Sequence, residues 1–122
     1  MAEHQRQDLK ARTFAFSAAL LSNFKALAAG GAQYDHMARQ VFAAGTSIGA
    51  MVEEAEVALS RRDFAAKYVI ALREARESNY WLRLFATQPS HLQLVRPLVC
   101  ESGEFVAILT TSVKKLRASP VP

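Results

Sequence analysis

The chain has little of what builds disulfide-linked or turn-rich proteins. It contains one cysteine, Cys100, together with five glycines and four prolines among its 122 residues. A single thiol excludes an internal disulfide and a zinc site made only of cysteines in one chain, so it favours a reducing compartment. The scarcity of glycine and proline, beside a hydrophobic fraction of 51%, favours an all-α fold over a turn-rich β fold.

Long hydrophobic runs are also lacking. A charged residue interrupts every apolar stretch before it reaches the roughly 18 residues that span a bilayer. The first ten residues are polar and mixed in charge, and no apolar signal segment follows them. We therefore expect a soluble, cytoplasmic, single-domain protein over residues 1–122, which is long enough to bury a core.

Catalytic and metal-binding patterns are equally scarce. No glutamate has a histidine three residues later, as di-metal sites in helical bundles require, and the glycines at 30–31 lack the Lys-Ser/Thr of a phosphate-binding loop. His4, His36 and His91 are scattered, which favours surface or capping roles. Cys100 has no adjacent histidine, which favours a buried structural thiol. We predict no enzyme, no metal site and no cofactor.

Apolar residues recur at helical spacing through most of the chain. The glycines at 30–31 mark the end of the first helix, Ser60 has the character of an N-cap, and Pro97 suits the first position of the last helix. Four helices are predicted, over about 7–29, 34–59, 61–87 and 98–117, with a frayed tail at 118–122. Short connections favour an antiparallel up-down-up-down four-helix bundle.

Two glycines, Gly45 and Gly49, stand one turn apart inside the second predicted helix. Each costs roughly 1 kcal/mol relative to alanine in a helix interior, so a compensating interaction is expected. Close approach of a neighbouring helix is the natural compensation. That neighbour can belong to the same chain or to another subunit.

The third predicted helix has an apolar side that a monomer cannot bury. Ile70, Trp81 and Leu84 lie far from the core stripe, so the turn at residues 80–85 is apolar nearly all round. A helix of this kind is expected to be covered on every side, and a second subunit can provide the cover. The alternative is that the 88–97 connection folds over this turn.

Positive charge is in modest excess, because fifteen Lys and Arg residues face eleven Asp and Glu residues, a net charge of +4. Helical geometry places four arginines of the third helix within a sector of about 80°. These are Arg62, Arg73, Arg76 and Arg83, and Val69 and Tyr80 share the sector. The stripe indicates a phosphate-contacting surface; the alternatives are a solvated face, or arginines paired with the glutamates at 53, 54 and 56. Lys114, Lys115 and Arg117 form a second cluster, which the helix dipole also explains.

Five segments together resemble a known family. They are QVFAAGTSIGA at 40–50, EEA at 53–55, SRRDFAAK at 60–67, ALREARE at 71–77 and YWLR at 80–83. In order and spacing they resemble the bacterial four-helix-bundle proteins encoded by intervening sequences within large-subunit ribosomal RNA genes, a family that looks related to the accessory variability protein of diversity-generating retroelements. The resemblance extends over about residues 10–117.

The resemblance implies an antiparallel bundle assembled as a homopentamer, and it implies nucleic-acid binding or contact with a reverse transcriptase. Residues that match the family are Ser47, Gly49, Glu53, Lys67, Glu74 and Arg83, which we interpret first as structural. Charges such as Glu53, Glu74 and Arg83 can set helix register or subunit pairing. Family members often carry Arg and Ser where this chain has alanine at 43–44, which removes one potential phosphate contact.

Two functions therefore compete. The first is nucleic-acid binding by a non-enzymatic oligomer through Arg61, Arg62, Arg73, Arg76, Lys114 and Lys115. The second is a protein-interaction scaffold, or accessory subunit, for an enzyme such as a reverse transcriptase. Predicted interface or buried polar positions are Gly45, Gly49, Glu53, Glu74, Tyr80, Trp81, Arg83 and Leu84.

Overall fold

A computed structural model describes residues 1–118 and contains helices but no strand over that range. The all-α prediction is confirmed. The helices are α1 (Glu3–Ser22), α2 (Phe24–Ala28), α3 (Ala32–Ala55), α4 (Arg61–Phe85) and α5 (Pro89–Ala118). Of the tail predicted to fray, Ala118 is the last residue of α5, and 119–122 lie outside the described residues. No helix within residues 1–118 is long and apolar enough to cross a membrane.

The first predicted helix, 7–29, is two helices in the structure. Asn23 separates α1 from α2, and its side-chain amide donates a 2.8 Å hydrogen bond to the carbonyl of Ala19. Asparagine competes in this way with the backbone amides of a helix, which explains an interruption that apolar spacing does not reveal. The segment ends at Gly30 and Gly31, whose φ angles of 108° and 150° suit glycine.

The last predicted helix, 98–117, begins earlier than expected, since α5 starts at Pro89 and continues through Pro97. Proline has no N–H, so Pro97 leaves the carbonyl of Gln93 without its helical donor. Both Gln93 and Pro97 are exposed, and water can satisfy that carbonyl. The cost is therefore small enough for the helix to continue.

The core is one apolar cluster that draws on every helix. Its largest fully buried side chains are Tyr68, Phe85, Phe105, Leu9, Leu20, Leu27, Ile48, Leu82 and Leu109. The predicted cap of α4 is present, because the Ser60 hydroxyl accepts a 3.0 Å hydrogen bond from the amide of Asp63. Arg12 of α1 donates to Glu101 of α5 through two nitrogens, at 2.6 and 3.1 Å.

The two glycines of α3, Gly45 and Gly49, pack closely against α1. A Cβ at Gly45 would overlap the Cδ1 atom of Leu20, and one at Gly49 would lie 3.3 Å from the carbonyl oxygen of Thr13. The neighbour that compensates for these glycines therefore belongs to the same chain. Gly45 and Gly49 are buried inside the subunit, so of the two alternatives left by the sequence, a neighbour in the same chain or in another subunit, the structure shows the first. We call this contact the α1–α3 seam.

Candidate nucleic-acid interface

The outer face of α4 carries the candidate interface. We use this name for Ile70, Arg73, Arg76, Tyr80, Arg83 and Leu84, all of which are exposed. Arg73 and Arg76 lie one helical turn apart, about 4.5 Å along the axis, and they project from the same side of the helix. Arg62 is also exposed and stands near the start of α4, three turns before Arg73.

The arginines of α4 have no acidic partner among residues 1–118. Each glutamate proposed as a partner is instead held by another cation: Glu53 lies 3.9 Å from Lys10, Glu54 lies 3.4 Å from Lys67, and Glu56 lies 3.7 Å from Arg6. The interpretation of the stripe as paired with these glutamates is therefore wrong. Arg62, Arg73 and Arg76 are exposed and make no ion pair among residues 1–118, which also agrees with the interpretation of the stripe as a solvated face.

Arg83 and Glu74 do not form the register-setting ion pairs that were predicted. The Arg83 Nε atom donates a 2.9 Å hydrogen bond to Asn79, and its guanidinium lies 5.9 Å from the centre of the Tyr80 ring. Glu74 has no ion pair in the described part of the chain. Partial burial, with the negative charge of Glu77 nearby, raises the pKa of Glu74. Of the three predicted charges, Glu53 alone has an ion-pair partner, and that pair joins α1 to α3.

The predicted cations fall into two groups. Arg61, at the start of α4, and Lys115, near the end of α5, line the same cavity at one end of the bundle. Lys114 is exposed beside Lys115, whereas Arg73 and Arg76 lie midway along α4. The six candidate residues therefore form an end cluster and a lateral stripe.

The apolar part of the outer face of α4 remains uncovered. Ile70, Tyr80 and Leu84 are 38%, 52% and 39% exposed. Residues 89–97 form the first turns of α5 and leave the turn at 80–85 uncovered. The alternative, in which the 88–97 connection folds over that turn, is therefore wrong. Trp81 is half-buried, donates a 3.2 Å hydrogen bond to Glu77 and packs edge-on against His36 of α3.

A second exposed apolar surface was not predicted. Phe14 and Leu21 of α1 are 71% and 67% exposed and lie two turns apart on one side of the helix. The signal was present in the sequence, because residues 13–24 contain no charged side chain. Without charged side chains, this stretch has no strongly polar face to turn to solvent, so apolar residues such as Phe14 and Leu21 are left exposed.

The structure corrects two predictions about reactive side chains. Cys100 is exposed and not buried. His91 is buried between the rings of Tyr34 and Phe85, and its Nε2 atom lies 3.0 Å from the carbonyl oxygen of Leu27. His91 is therefore buried and not on the surface, whereas its contact with a carbonyl at the C-terminal end of α2 agrees with the capping role that was the other expectation. Residues 1–118 contain no group of three or more His, Cys, Asp or Glu side chains that could hold a metal ion.

The chain is similar to known proteins whose structures have been solved. The chain is similar to a protein with unknown function from the S23 ribosomal protein family, from Bacteroides thetaiotaomicron VPI-5482. The two share 32% sequence identity and superpose with a TM-score of 0.74, over 87% of this chain and 98% of the other. No protein-family profile and no curated protein matches the sequence.

Proposed function

Because the chain belongs to the S23 ribosomal protein family, we propose that it is a non-enzymatic helical bundle that binds RNA or DNA as a homo-oligomer. We identify this family with the intervening-sequence proteins that the sequence resembles. The bundle we propose is antiparallel, in agreement with contacts such as Glu54 with Lys67 and Tyr34 with Gln88, which join opposite ends of α3 and α4.

The observation that carries the proposal is that Arg73 and Arg76 have no acidic partner within residues 1–118. Exposed guanidinium groups without carboxylate partners suit the phosphates of a nucleic-acid backbone, which bind mainly through charge. One chain offers a net charge of only +4. Repetition of the stripe around an oligomer would multiply the field that a nucleic acid meets.

The oligomer is proposed on the uncovered apolar groups of α4. Helical geometry places Ile70 and Leu84 toward one edge of the outer face and Arg76 toward the other, so a neighbouring copy can cover the apolar edge and leave the guanidinium of Arg76 accessible. The family resemblance favours five copies. These side chains also support the second candidate, in which a protein such as a reverse transcriptase binds the assembled bundle. Recovery of a stoichiometric protein partner after nuclease treatment would favour this second function.

The first function is tested by fluorescence anisotropy with labelled mixed-sequence RNA and DNA oligonucleotides. Affinity should fall steeply as salt increases, because phosphate contacts release counterions. Replacing Arg73 and Arg76 with alanine together should weaken binding by at least about tenfold at low salt. The same change should lower the salt slope by about one for each phosphate that the protein no longer binds. Arg39→Ala is the matched control, because Arg39 is exposed but paired with Asp35 at 3.1 Å.

The control should bind as the wild-type chain does. Binding that is insensitive to salt, or that is equally weakened by Arg39→Ala, would contradict a specific role for the stripe. An absence of binding to either nucleic acid at low salt would remove the proposal.

A further inference from the structure

A cavity opens at the end of the bundle where α1 and α4 begin and α3 and α5 end. Its volume is about 460 Å³, and residues of all four of these helices line it. This volume lies within the range of small-molecule sites. The cavity is separate from Arg73 and Arg76, so it concerns a different part of the molecule from the lateral stripe.

Polar groups buried at this cavity lack good partners. The Tyr68 side chain is fully buried, and the one partner of its hydroxyl is the sulfur of Met1, 4.0 Å away. The Nε atom of Arg6 and the Oε1 atom of Glu56 are also buried, and neither has a hydrogen-bond partner among the described residues. These two atoms are 3.7 Å apart, which is too far for a hydrogen bond. Buried polar atoms without hydrogen-bond partners are unfavourable, so these two atoms, beside a hydroxyl whose acceptor is only a thioether sulfur, suit a cavity that takes a polar guest.

The charge of the lining selects the sign of that guest. Arg6, Arg61 and Lys115 contribute three cations, Glu56 contributes one carboxylate, and Glu3 pairs with Arg6 from outside the lining, so the net charge remains positive. An anion is therefore favoured over a cation or a neutral molecule. Arg61 has no ion pair within residues 1–118, and it stands at the exposed rim of the cavity.

The remaining walls are apolar. Phe64 and Leu116 are half-buried and face the cavity from α4 and α5. Burial together with the negative charge of Glu56 raises the pKa of Tyr68 to about 12, although Arg6 acts in the opposite direction. The hydroxyl therefore stays protonated at neutral pH and can donate a hydrogen bond to an anion.

We propose that this cavity binds a small organic anion. Its carboxylate or phosphate group would meet Arg6, Arg61 and the hydroxyl of Tyr68, and its apolar part would contact Phe64 and Leu116. The site does not depend on nucleic-acid binding. It also assigns Arg61 and Lys115 to a cavity for a small ligand, apart from the lateral stripe of arginines.

The test is titration of the full chain with phenyl phosphate and with benzoate, followed by backbone amide NMR. Saturable shifts are expected at the cavity residues in 58–64 and 112–116, and not at Gly30 and Gly31. Benzyl alcohol, which lacks the charge, and inorganic phosphate, which lacks the apolar part, should each bind at least about tenfold more weakly. Stronger binding of one aromatic anion will distinguish a carboxylate ligand from a phosphate ligand.

Substitutions in the cavity test whether the NMR shifts arise from binding at this site. Tyr68→Phe and Arg61→Ala should each weaken the aromatic anion by about tenfold, since each removes one hydrogen-bond donor to an anion. Because Arg61 is exposed, its variant is expected to fold even if Tyr68→Phe does not. Arg39→Ala and the double alanine variant of Arg73 and Arg76 should leave the aromatic anion unaffected. The proposal is overturned if neither aromatic anion gives saturable shifts, if inorganic phosphate binds as well as phenyl phosphate, or if Arg61→Ala has no effect.

Discussion

The α1–α3 seam and the outer face of α4 both depart from an ordinary amphipathic helix, but the chain completes one and leaves the other open. At the seam, Gly45 and Gly49 are buried against Leu20 and Thr13 of the same subunit. On α4, Tyr80 and its apolar neighbours remain exposed beside arginines that have no ion pair in the described part of the chain. Where the unusual residues of a helix are packed against the same chain, they contribute to the fold. Where they stay exposed, they indicate a binding surface.

The largest difference in stability is expected between two variants in which alanine replaces a glycine. Gly45→Ala should destabilise the protein by about 2 kcal/mol, because overlap with Leu20 outweighs the gain of about 1 kcal/mol in helix propensity. Gly103→Ala is the matched control, since the nearest atom to its new Cβ is 3.8 Å away, and it should stabilise by up to about 1 kcal/mol. Urea unfolding measures both. Equal effects would contradict close packing at the seam.

The burial of Tyr68 on the inner face of α4 should make the free energy of unfolding depend on pH in alkaline solution. The pKa of Tyr68 is raised to about 12 from an ordinary value near 10, so the folded chain keeps a proton that the unfolded chain releases. Stability should be unaffected below pH 10 and fall by about 2 kcal/mol between pH 10 and 12. Other groups titrate in the same interval, so the measurement is the difference between wild type and Tyr68→Phe. Parallel pH curves would show that the hydroxyl is not buried.

Only some of the structural features behind these predictions can be read from the sequence. Features encoded by neighbouring residues, such as the Ser60 cap and the sector shared by Arg73 and Arg76, could be predicted because helix geometry alone determines them. The break at Asn23 and the continuation through Pro97 could not, since each depends on where one carbonyl finds its donor.

Tertiary partners were the other missing information. The stripe was visible in the sequence, but its availability depends on Glu53 and Glu54 being held by Lys10 and Lys67. Neither pairing follows from helical spacing, because Lys10 lies on another helix and Lys67 lies across the α3–α4 connection. The ring stack around His91 likewise requires knowledge of which helix ends meet.

A smaller difference in the free energy of unfolding is expected between removing the ion pair of Arg12 and removing Arg73. Glu101→Gln should cost about 1 kcal/mol, because it weakens a two-nitrogen contact with Arg12 that joins α1 to α5, and it removes the carboxylate that raises the pKa of Arg12. Arg73→Ala should change the free energy of unfolding by less than about 0.3 kcal/mol. Urea unfolding at matched protein concentration measures both. A comparable loss from Arg73→Ala would show that the stripe stabilises the fold.

The smallest effect on the subunit is expected at its apolar outer face. Leu84→Gln should leave the helical circular dichroism unchanged, because Leu84 is 39% exposed in the single chain. The same change should lower the particle mass in sedimentation equilibrium, since it places an amide in the proposed contact between copies. A wild-type chain that sediments as a monomer would contradict the oligomer.

The central claim is most directly tested by the native mass of the full chain with and without a mixed pool of RNA and DNA. We expect a particle of several chains, five being favoured, that gains mass in the pool at low salt and loses it at high salt. The chain with Arg73→Ala and Arg76→Ala should keep the particle and gain less mass than the wild-type chain at the same low salt. A monomer, or a particle that the pool leaves unchanged at low salt, would contradict the account.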